Sequence, residues 1–480
     1  MKTPTKNSNS YQIIGSVIIS TALLLVFCYI ANISLMIPVL LLFLGVHLMF
    51  TKGAHVKIFL HMGLLLTLIL FTSYIFTEYK IFSPYYIPVA TVAMLTILLY
   101  SDIQLSFIMA FLSSVIVGLV VGNDLNVMLI FFIGSLTGMY AIKDARTRGV
   151  LTRAAIWVAL IQTFCVIVLN PFPQFLASKN FLHFYLQPLF INGFLSIGFV
   201  IATLKIFEWL FGVVTNFSLL ELSDFNHPLL KKMVLEAPGT YHHSLIVSNL
   251  SEAAAEAIGA HSLLAKVGAY YHDVGKTIKP EYFTENQMID GNKHDNLEPS
   301  MSRLVILNHV KEGIELAKRY KLDQRIINFI PEHHGTGLIH YFYQRALEDA
   351  DHDETVDQAN FRYAGPKPQS RETAIVLLAD SVEGAVRALD DPIPARIDET
   401  VRKVMNNKFI DGQLDECDLT LKDIERISVT FTRVLSAMYH TRVKYPEKKN
   451  GNGHRDKKPS ENNRDQSRPY PHISQKSSAS

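Results

Sequence analysis

Residues 267–287, VGAYYHDVGKTIKPEYFTENQ, place a histidine and an aspartate side by side at the end of an apolar run. An aspartate is almost never fully buried without a partner, so His272 and Asp273 in this setting need a compensating charge, which a metal ion supplies. Lys276 lies one helical turn beyond His272, so both side chains can face one pocket, where the ammonium would contact a phosphate oxygen. The alternative is a solvent-exposed lysine at a helix end, and spacing alone does not decide between the two.

The same apolar setting recurs around other residues that can bind a metal: His243 in GTYHHSL, His309 in ILNHV, His333 and His334 in PEHHGTG, and Asp380 in LLADSVEG, with His242 as a doubtful neighbour. Five histidines and two aspartates suit two transition-metal ions that share Asp273. Two such ions polarise a phosphodiester and activate water at neutral pH. A single histidine on an apolar helix is more often a core residue than a ligand, and the residues alone leave that alternative open.

The flanks of these motifs have the periodicity of helices. Segments 243–260 (HSLIVSNLSEAAAEAIGA) and 303–320 (RLVILNHVKEGIELAKRY) repeat apolar residues three and four positions apart. No convincing run of alternating strand residues is present. We therefore predict an all-α fold, with a helical metal-binding bundle in the second half of the chain.

The composition excludes several classes of protein. Charged residues make up 18% of the 480 residues and apolar residues 49%, whereas a typical soluble chain has about 25% charged residues. A net charge of +2 gives no support for a nucleic-acid polymer as a partner. Three scattered cysteines cannot build a disulfide framework or a zinc ribbon.

The first 215 residues are nearly all apolar and predict a polytopic membrane domain that lies in a lipid bilayer. A spanning helix needs about 20 mostly apolar residues. Eight segments approach this length, at 11–31, 33–50, 57–76, 86–100, 103–122, 126–142, 153–170 and 186–213. No ladder of paired intramembrane charges is present, which disfavours a transporter.

Loop charges predict the orientation in the cell (inner) membrane. With a cytoplasmic N-terminus, the inside segments carry Lys2, Lys6, Lys52, Lys57, Lys143, Arg146, Arg148 and Arg153. The outside loops carry only Lys80 and Lys179. An even number of spans returns the chain to the cytoplasm, so the metal-binding half is expected inside.

These patterns divide the chain into three regions. We predict a transmembrane domain over residues 1–215, a cytoplasmic domain over 216–445 and a disordered basic tail over 446–480. Within the second region, residues 347–372 are acidic and contain proline and glycine, which is typical of an inserted loop. That loop either borders the pocket or lies on the protein surface away from it.

The ordered set of HDVGK, YHHS, NHV, EHHG and LAD resembles the HD-domain superfamily of metal-dependent phosphohydrolases. Longer stretches at 219–260, 267–287, 361–389 and 412–424 look like the seven-transmembrane HD family, the PgpH-type cyclic di-AMP phosphodiesterases, over most of residues 33–445. The resemblance implies that cyclic di-AMP is hydrolysed to pApA at a site with two divalent transition-metal ions, iron or manganese.

Carried over motif by motif, the resemblance implies seven metal ligands: His243, His272, Asp273, His309, His333, His334 and Asp380. Asp273 would bridge the ions, and His272, Asp273 and Lys276 would carry the catalysis. Thr336, which follows EHHG, would touch a phosphate. Tyr282, Phe283 and Asn286 would either contact adenine or pack the helix junction.

One departure, the exclusion of a neighbouring branch and two alternatives accompany this resemblance. The family usually has a large extracytoplasmic domain after its first helix, for which residues 28–35 leave no room. The chain also lacks the signature of HD-GYP enzymes, because it has HHGTGLIHYFY instead. The alternatives are an HD phosphohydrolase that acts on another nucleotide and a membrane receptor whose HD domain only binds nucleotide. The metal identity, and whether the chain forms a homodimer, stay open at this level.

Overall fold

The computed structural model describes residues 56–80, 82–143, 145, 147–169, 186–287, 292–350 and 356–439, with scattered positions between 22 and 44. Within these residues every element of regular secondary structure is a helix. The β-structure is limited to one isolated bridge between Leu338 and Arg362. The prediction of an all-α fold is therefore confirmed. Most of the first two predicted spans, the junction at 28–35 and the tail lie outside the described residues.

The first half contains six described helices: α1 Val56–Glu78, α2 Ala90–Tyr100, α3 Ile103–Val120, α4 Leu125–Ile142, α5 Arg148–Leu169 and α6 Gln187–Phe211. All except α2 are long and apolar enough to cross a membrane. They lie where the third to eighth spans are predicted. Helix α2 begins later than expected because Pro84 starts a separate 3₁₀ turn, Pro84–Tyr86.

Short polar contacts and small residues hold these helices together. Asp102 and Asp124 cap the N-termini of α3 and α4, since their carboxylates accept backbone N–H groups of the first turn. The buried amide of Asn192 in α6 donates to the carbonyls of Tyr85 and Ile87 at 3.0 and 2.7 Å. A Cβ atom at Gly193 would lie 2.3 Å from the carbonyl oxygen of Ala155, so α5 and α6 pack with their backbones close together.

The second half begins with the short helix α7 Asn216–Leu222. It continues with α8 Pro228–Glu236, α9 Pro238–Ile258, α10 Ser262–Tyr271, α11 Pro299–Arg319, α12 Gln324–Ile327, α13 Phe329–Glu332, α14 His340–Asp349, α15 Arg371–Arg387, α16 Pro394–Ile410 and α17 Leu421–Met438. Helix α9 is central, because it packs against α10, α15 and α17. Gly259, with a φ of +68°, ends α9 in the left-handed conformation that glycine adopts without strain.

The HD motif lies where α10 gives way to a 3₁₀ turn, Val274–Ile278. A Cβ atom on Gly275 would lie 1.8 Å from the carbonyl oxygen of His309, so only glycine permits this approach to α11. The contact brings the segment that carries Asp273 next to the helix that carries His309. The glycine of HDVGK is thus required by packing.

The two halves have separate hydrophobic cores. Along the chain, the buried residues of the first core end at Phe211 and those of the second begin at Val214. Glu208, near the end of α6, is buried and accepts hydrogen bonds from the backbone N–H and hydroxyl of Thr215 and, at 2.7 Å, from the hydroxyl of Ser218. It therefore fixes the start of α7. At the other end of α7, the hydroxyl of Tyr271 donates to the carbonyl of Leu222 at 2.7 Å. The predicted domain boundaries themselves stay predictions.

Candidate metal centre

Seven buried or half-buried side chains converge in the second half of the chain. Their potential ligand atoms form two groups whose members all lie within 4.8 Å of one another, and Asp273 belongs to both. One group is Asp273, His309, His333 and His334, and the other is His243, His272, Asp273 and Asp380. These are the residues that the sequence motifs single out. The exposed His242 is not among them.

Asp273 lies between the two groups and turns one oxygen toward each. Its Oδ1 is 3.4 Å from Nε2 of His309 and 3.4 Å from Nε2 of His333. Its Oδ2 is 3.2 Å from Nε2 of His272 and 3.7 Å from Nε2 of His243. A carboxylate placed in this way can donate one oxygen to each of two cations.

Backbone carbonyls orient three of the imidazoles. Nδ1 of His272 donates to the carbonyl of Ala269, and Nδ1 of His333 to that of Ile330, both at 2.7 Å. His309 makes the same bond to the carbonyl three residues before it. This pattern directs each Nε2 toward Asp273, as in metal-binding histidines whose other nitrogen is held by a carbonyl or carboxylate.

The donor atoms fit a metal. The Nε2 atoms of His272, His309 and His333 are buried and have no hydrogen-bond partner among the described residues. Buried polar atoms are normally paired, so three imidazole nitrogens aimed at one carboxylate need a common partner. Imidazole and carboxylate together are typical ligands of divalent transition metals.

Asp380 and Glu383, one turn apart on α15, hold His243 between them. Nε2 of His243 is 3.1 Å from Oδ1 of Asp380, and its Nδ1 is 2.7 Å from Oε2 of Glu383. The other oxygen of Asp380 is 3.7 Å from Nδ1 of His334. Glu383 was not identified from the sequence, although its position three residues after Asp380 places it on the same helix face.

The electrostatics favour ionised carboxylates and neutral His309 and His334. Burial acts to lower the pKa of His243, but its hydrogen bonds to Asp380 and Glu383 raise that pKa to about 10. Burial opposes ionisation of Asp273, but Lys276 and His272 outweigh it and hold the pKa of Asp273 well below its usual range. Burial lowers the pKa of His309 to about 4 and, together with His333, lowers the pKa of His334. Both imidazoles are therefore neutral at pH 7, which is the form that binds a metal.

Lys276 is held by two carboxylates. Its Nζ is 2.7 Å from Oδ2 of Asp273 and 2.9 Å from Oε1 of Glu285, which also accepts the hydroxyl of Thr240 at 3.1 Å. Burial acts to lower the pKa of Lys276, but Asp273 and Glu285 raise it above its ordinary value, so the ammonium stays charged. Glu285 is a second residue that the sequence analysis missed.

The segment after α14 borders the centre. The ring of Tyr363 stacks on His334, with centroids 4.1 Å apart and planes inclined by 26°. The backbone N–H of Tyr363 donates to the carbonyl of Gly337 at 3.0 Å, which anchors the segment to the loop after EHHG. This segment was predicted either to border the pocket or to lie on the surface, and its part containing Tyr363 lies against the candidate ligand His334.

Three of the predicted substrate contacts, Asn286, Thr336 and Tyr282, make hydrogen bonds within the protein. Asn286 accepts the backbone N–H groups of Gly239 and Thr240 at 2.9 and 3.1 Å and so caps the start of α9. The backbone N–H of Thr336 donates to Gln413 at 2.8 Å, and the carbonyl of Tyr282 hydrogen bonds to His294 at 2.8 Å. Their roles in substrate binding stay predictions.

A cavity of about 430 Å³ opens beside the ligand cluster. It is lined by His243, Lys276, Thr284, Glu285, Asp380, Glu383, Gly384, Arg387 and Ala388. Among the predicted substrate contacts, Lys276 lies in this lining, whereas Thr336, Tyr282 and Asn286 do not. A ligand in the cavity would reach the cluster on the side of His243 and Asp380.

Comparison with known proteins agrees with this arrangement. A family model described as a 7TM receptor with an intracellular HD hydrolase matches residues 10–215, and the model of the HD domain matches residues 240–385. The chain belongs to this seven-transmembrane HD family. The family assignment made from the sequence motifs is therefore confirmed, and the chain is a membrane protein.

Two curated members of the family are similar to the chain. It is 40% identical to the cyclic-di-AMP phosphodiesterase PgpH of Bacillus subtilis over 76% of this chain and 51% of that protein. It is 41% identical to PgpH of Listeria monocytogenes over 65% of this chain and 43% of that protein. The chain thus spans about half the length of these relatives. The chain is also similar to the HD domain of L. monocytogenes PgpH, whose crystal structure is known. The two are 49% identical, the match covers 45% of this chain and 100% of the crystallised domain, and the TM-score is 0.43.

Proposed function

We propose that this chain is a membrane-anchored phosphodiesterase that hydrolyses cyclic di-AMP to pApA at a site with two divalent metal ions. The observation that carries the proposal is the carboxylate of Asp273, which faces two groups of ligand residues with one oxygen each. The similarity to two cyclic-di-AMP phosphodiesterases supports the choice of substrate. Iron or manganese are the metals we propose.

The residues of the chain have distinct tasks in this reaction. The five histidines and two aspartates would hold the ions, which supply Lewis acidity and activate water when bound. Lys276 fixes Asp273 and keeps a positive charge at the cavity wall, where it offsets charge that develops on the phosphate. The carbonyl bonds to the Nδ1 atoms keep the histidines oriented, so little reorganisation is needed during turnover.

The proposal includes a cytoplasmic site. We take successive helices to cross the bilayer in alternate directions, which puts Lys57, Lys143 and Arg153 on the side from which α6 leads into α7 and Lys80 on the other side. Cytoplasmic loops are enriched in lysine and arginine, so this side faces inward. A cytoplasmic position gives the site access to an intracellular nucleotide.

The test uses the full chain in detergent with matched histidine variants. We expect His243→Ala and Asp273→Ala to lose bound metal and to reduce conversion of cyclic di-AMP to background, because each removes a ligand. His242→Ala alters the exposed neighbour and should keep wild-type metal content and turnover. Metal content is measured by elemental analysis and pApA by chromatography.

The same preparations separate the proposal from its alternatives. Wild-type protein is assayed against cyclic di-AMP, cyclic di-GMP and nucleoside triphosphates. Faster turnover of another nucleotide would identify a different phosphohydrolase, and binding of cyclic di-AMP without turnover would identify a receptor. Wild-type turnover in the Asp273→Ala protein would refute the metal site.

A further inference from the structure

Among the described residues that line the cavity beside the ligand cluster, one cation has no ionic partner. Lys276 is paired with Asp273 and Glu285, and His243 with Asp380 and Glu383. Arg387 also lines the cavity, but it makes no hydrogen bond or ion pair with the residues that the structure describes. Arg387 is exposed, so its positive charge is available to an anionic ligand in the cavity.

Helix α15 places Arg387 at a defined distance from the cluster. Asp380, Gly384 and Arg387 follow one another at intervals of four and three residues, so they share one helix face. The seven residues from Asp380 to Arg387 rise by about 10 Å. Long side chains on a helix lean toward its N-terminus, so the guanidinium of Arg387 can reach back toward the cluster.

Gly384 keeps the space between these two residues open. It lies inside α15, where glycine is about 1 kcal/mol less favourable than alanine. A Cβ atom added to Gly384 would meet no other atom within 4 Å, so packing does not require glycine here. Since Gly384 also lines the cavity, a larger side chain would project into it.

We propose that the cavity is the subsite for the second phosphodiester of the cyclic dinucleotide, with Arg387 as its anion contact and Gly384 as the residue that leaves room for it. This inference rests on the proposed function. A cyclic dinucleotide carries two phosphodiesters on opposite sides of one ring, so when one lies at the ligand cluster the other must lie beside it. Arginine can bind both free oxygens of such a group.

The first test compares Arg387→Gln and Arg387→Lys in the full chain. A charge-assisted hydrogen bond corresponds to about a tenfold to hundredfold change in affinity, so Arg387→Gln should raise the KM for cyclic di-AMP by about that factor. The kcat and the metal content should change far less, and Arg387→Lys should recover part of the loss. Arg433→Gln, an exposed arginine on α17, is the matched control.

A second readout is independent of turnover. Equilibrium dialysis of cyclic di-AMP against metal-free protein should show weaker binding for Arg387→Gln than for Arg433→Gln. Hydrolysis of bis(p-nitrophenyl) phosphate, which has a single phosphate, should fall much less than hydrolysis of cyclic di-AMP. Equal losses on both substrates would overturn the subsite.

Gly384 supplies a test that does not depend on charge. Gly384→Leu should raise the KM for cyclic di-AMP while the protein stays folded, since leucine is a better helix former than glycine. Gly384→Ala should have a smaller effect. Wild-type KM values in both Arg387→Gln and Gly384→Leu would overturn the subsite alone, whereas absence of cyclic di-AMP binding and hydrolysis in the wild-type chain would overturn the proposed function as well.

Discussion

At the residue scale, the carboxylate of Glu383 decides which nitrogen of His243 is available to a metal. Oε2 of Glu383 lies 2.7 Å from Nδ1 of His243, so Nε2 faces Asp380 and Asp273. Glu383 has 1% of its surface exposed, so water does not compete for this contact. It acts through His243 and is a positioning residue.

Replacing Glu383 by glutamine should weaken metal binding without unfolding the protein. Loss of a carboxylate behind a ligand histidine typically costs about 10- to 100-fold in metal affinity. We expect Glu383→Gln to show this loss in a competition titration with a chelator. Glu399→Gln changes an exposed glutamate on α16 and should titrate like the wild type. Equal affinities for the two variants would assign Glu383 a packing role only.

Lys408 gives a pH-dependent contribution to stability. Burial lowers its pKa below the ordinary value of 10.5, although Asp380 and Asp411 act in the opposite direction. Between the folded and unfolded pKa values the unfolded chain binds more protons, so stability rises with pH through that window. Lys408→Met should therefore raise the unfolding midpoint at pH 7, because it removes the cost of burying the ammonium. The gain should shrink as the pH approaches 10.5, and a gain that is independent of pH would contradict the cause.

The candidate ligand residues could be predicted from the sequence and the family resemblance, whereas the residues that support them could not. A buried aspartate beside a histidine marks Asp273 as a candidate ligand from the residues alone, whereas His309 becomes a candidate only through the family resemblance. Tyr363 and Glu285 have no such signal, because their importance comes from contacts with His334 and Lys276 that exist only after folding. Asn286 was predicted from the sequence as a possible substrate contact, and in the structure its polar side chain caps the start of α9.

At the scale of elements, the short helix α7 connects the last membrane helix to the HD motif. Its start is held by Glu208 of α6 and its end by the hydroxyl of Tyr271, which directly precedes His272. Helix periodicity predicts the long helices but not this connection, because a helix of seven residues has too few turns to show a periodic pattern. The position of α7 is therefore set by its contacts.

Tyr271→Phe tests this connection. It removes the donor to the carbonyl of Leu222, and we expect a loss of about 1 kcal/mol in local stability. Hydrogen exchange of the amides in α7 should become faster. Tyr270→Phe is a matched control, because the hydroxyl of Tyr270 makes no hydrogen bond within the described part of the chain. Similar exchange in the two variants would show that α7 does not depend on Tyr271.

At the scale of the whole molecule, the two separate cores predict two responses to metal removal. Of the two tryptophans of the chain, Trp157 lies within the membrane half, whereas Trp209 borders a cavity that residues of the second half such as Asp323 also line. In a Trp209→Phe background, which keeps Trp157, tryptophan fluorescence therefore reports on the membrane half. Circular dichroism reports on the helices of both halves. The two signals can therefore be followed in one sample, without labels.

Removing the metals with a chelator should destabilise only the half that binds them. A ligand that binds the folded state stabilises it by RT ln(1 + [L]/Kd), about 4 kcal/mol at a thousandfold excess over Kd. On heating, the chelated protein should therefore lose part of its circular dichroism at a lower temperature, while the tryptophan transition stays in place. The Asp273→Ala protein should behave like the chelated wild type and should not respond to added metal. If both signals shift together on chelation, the two cores unfold as one unit, and the metal centre stabilises the membrane helices as well.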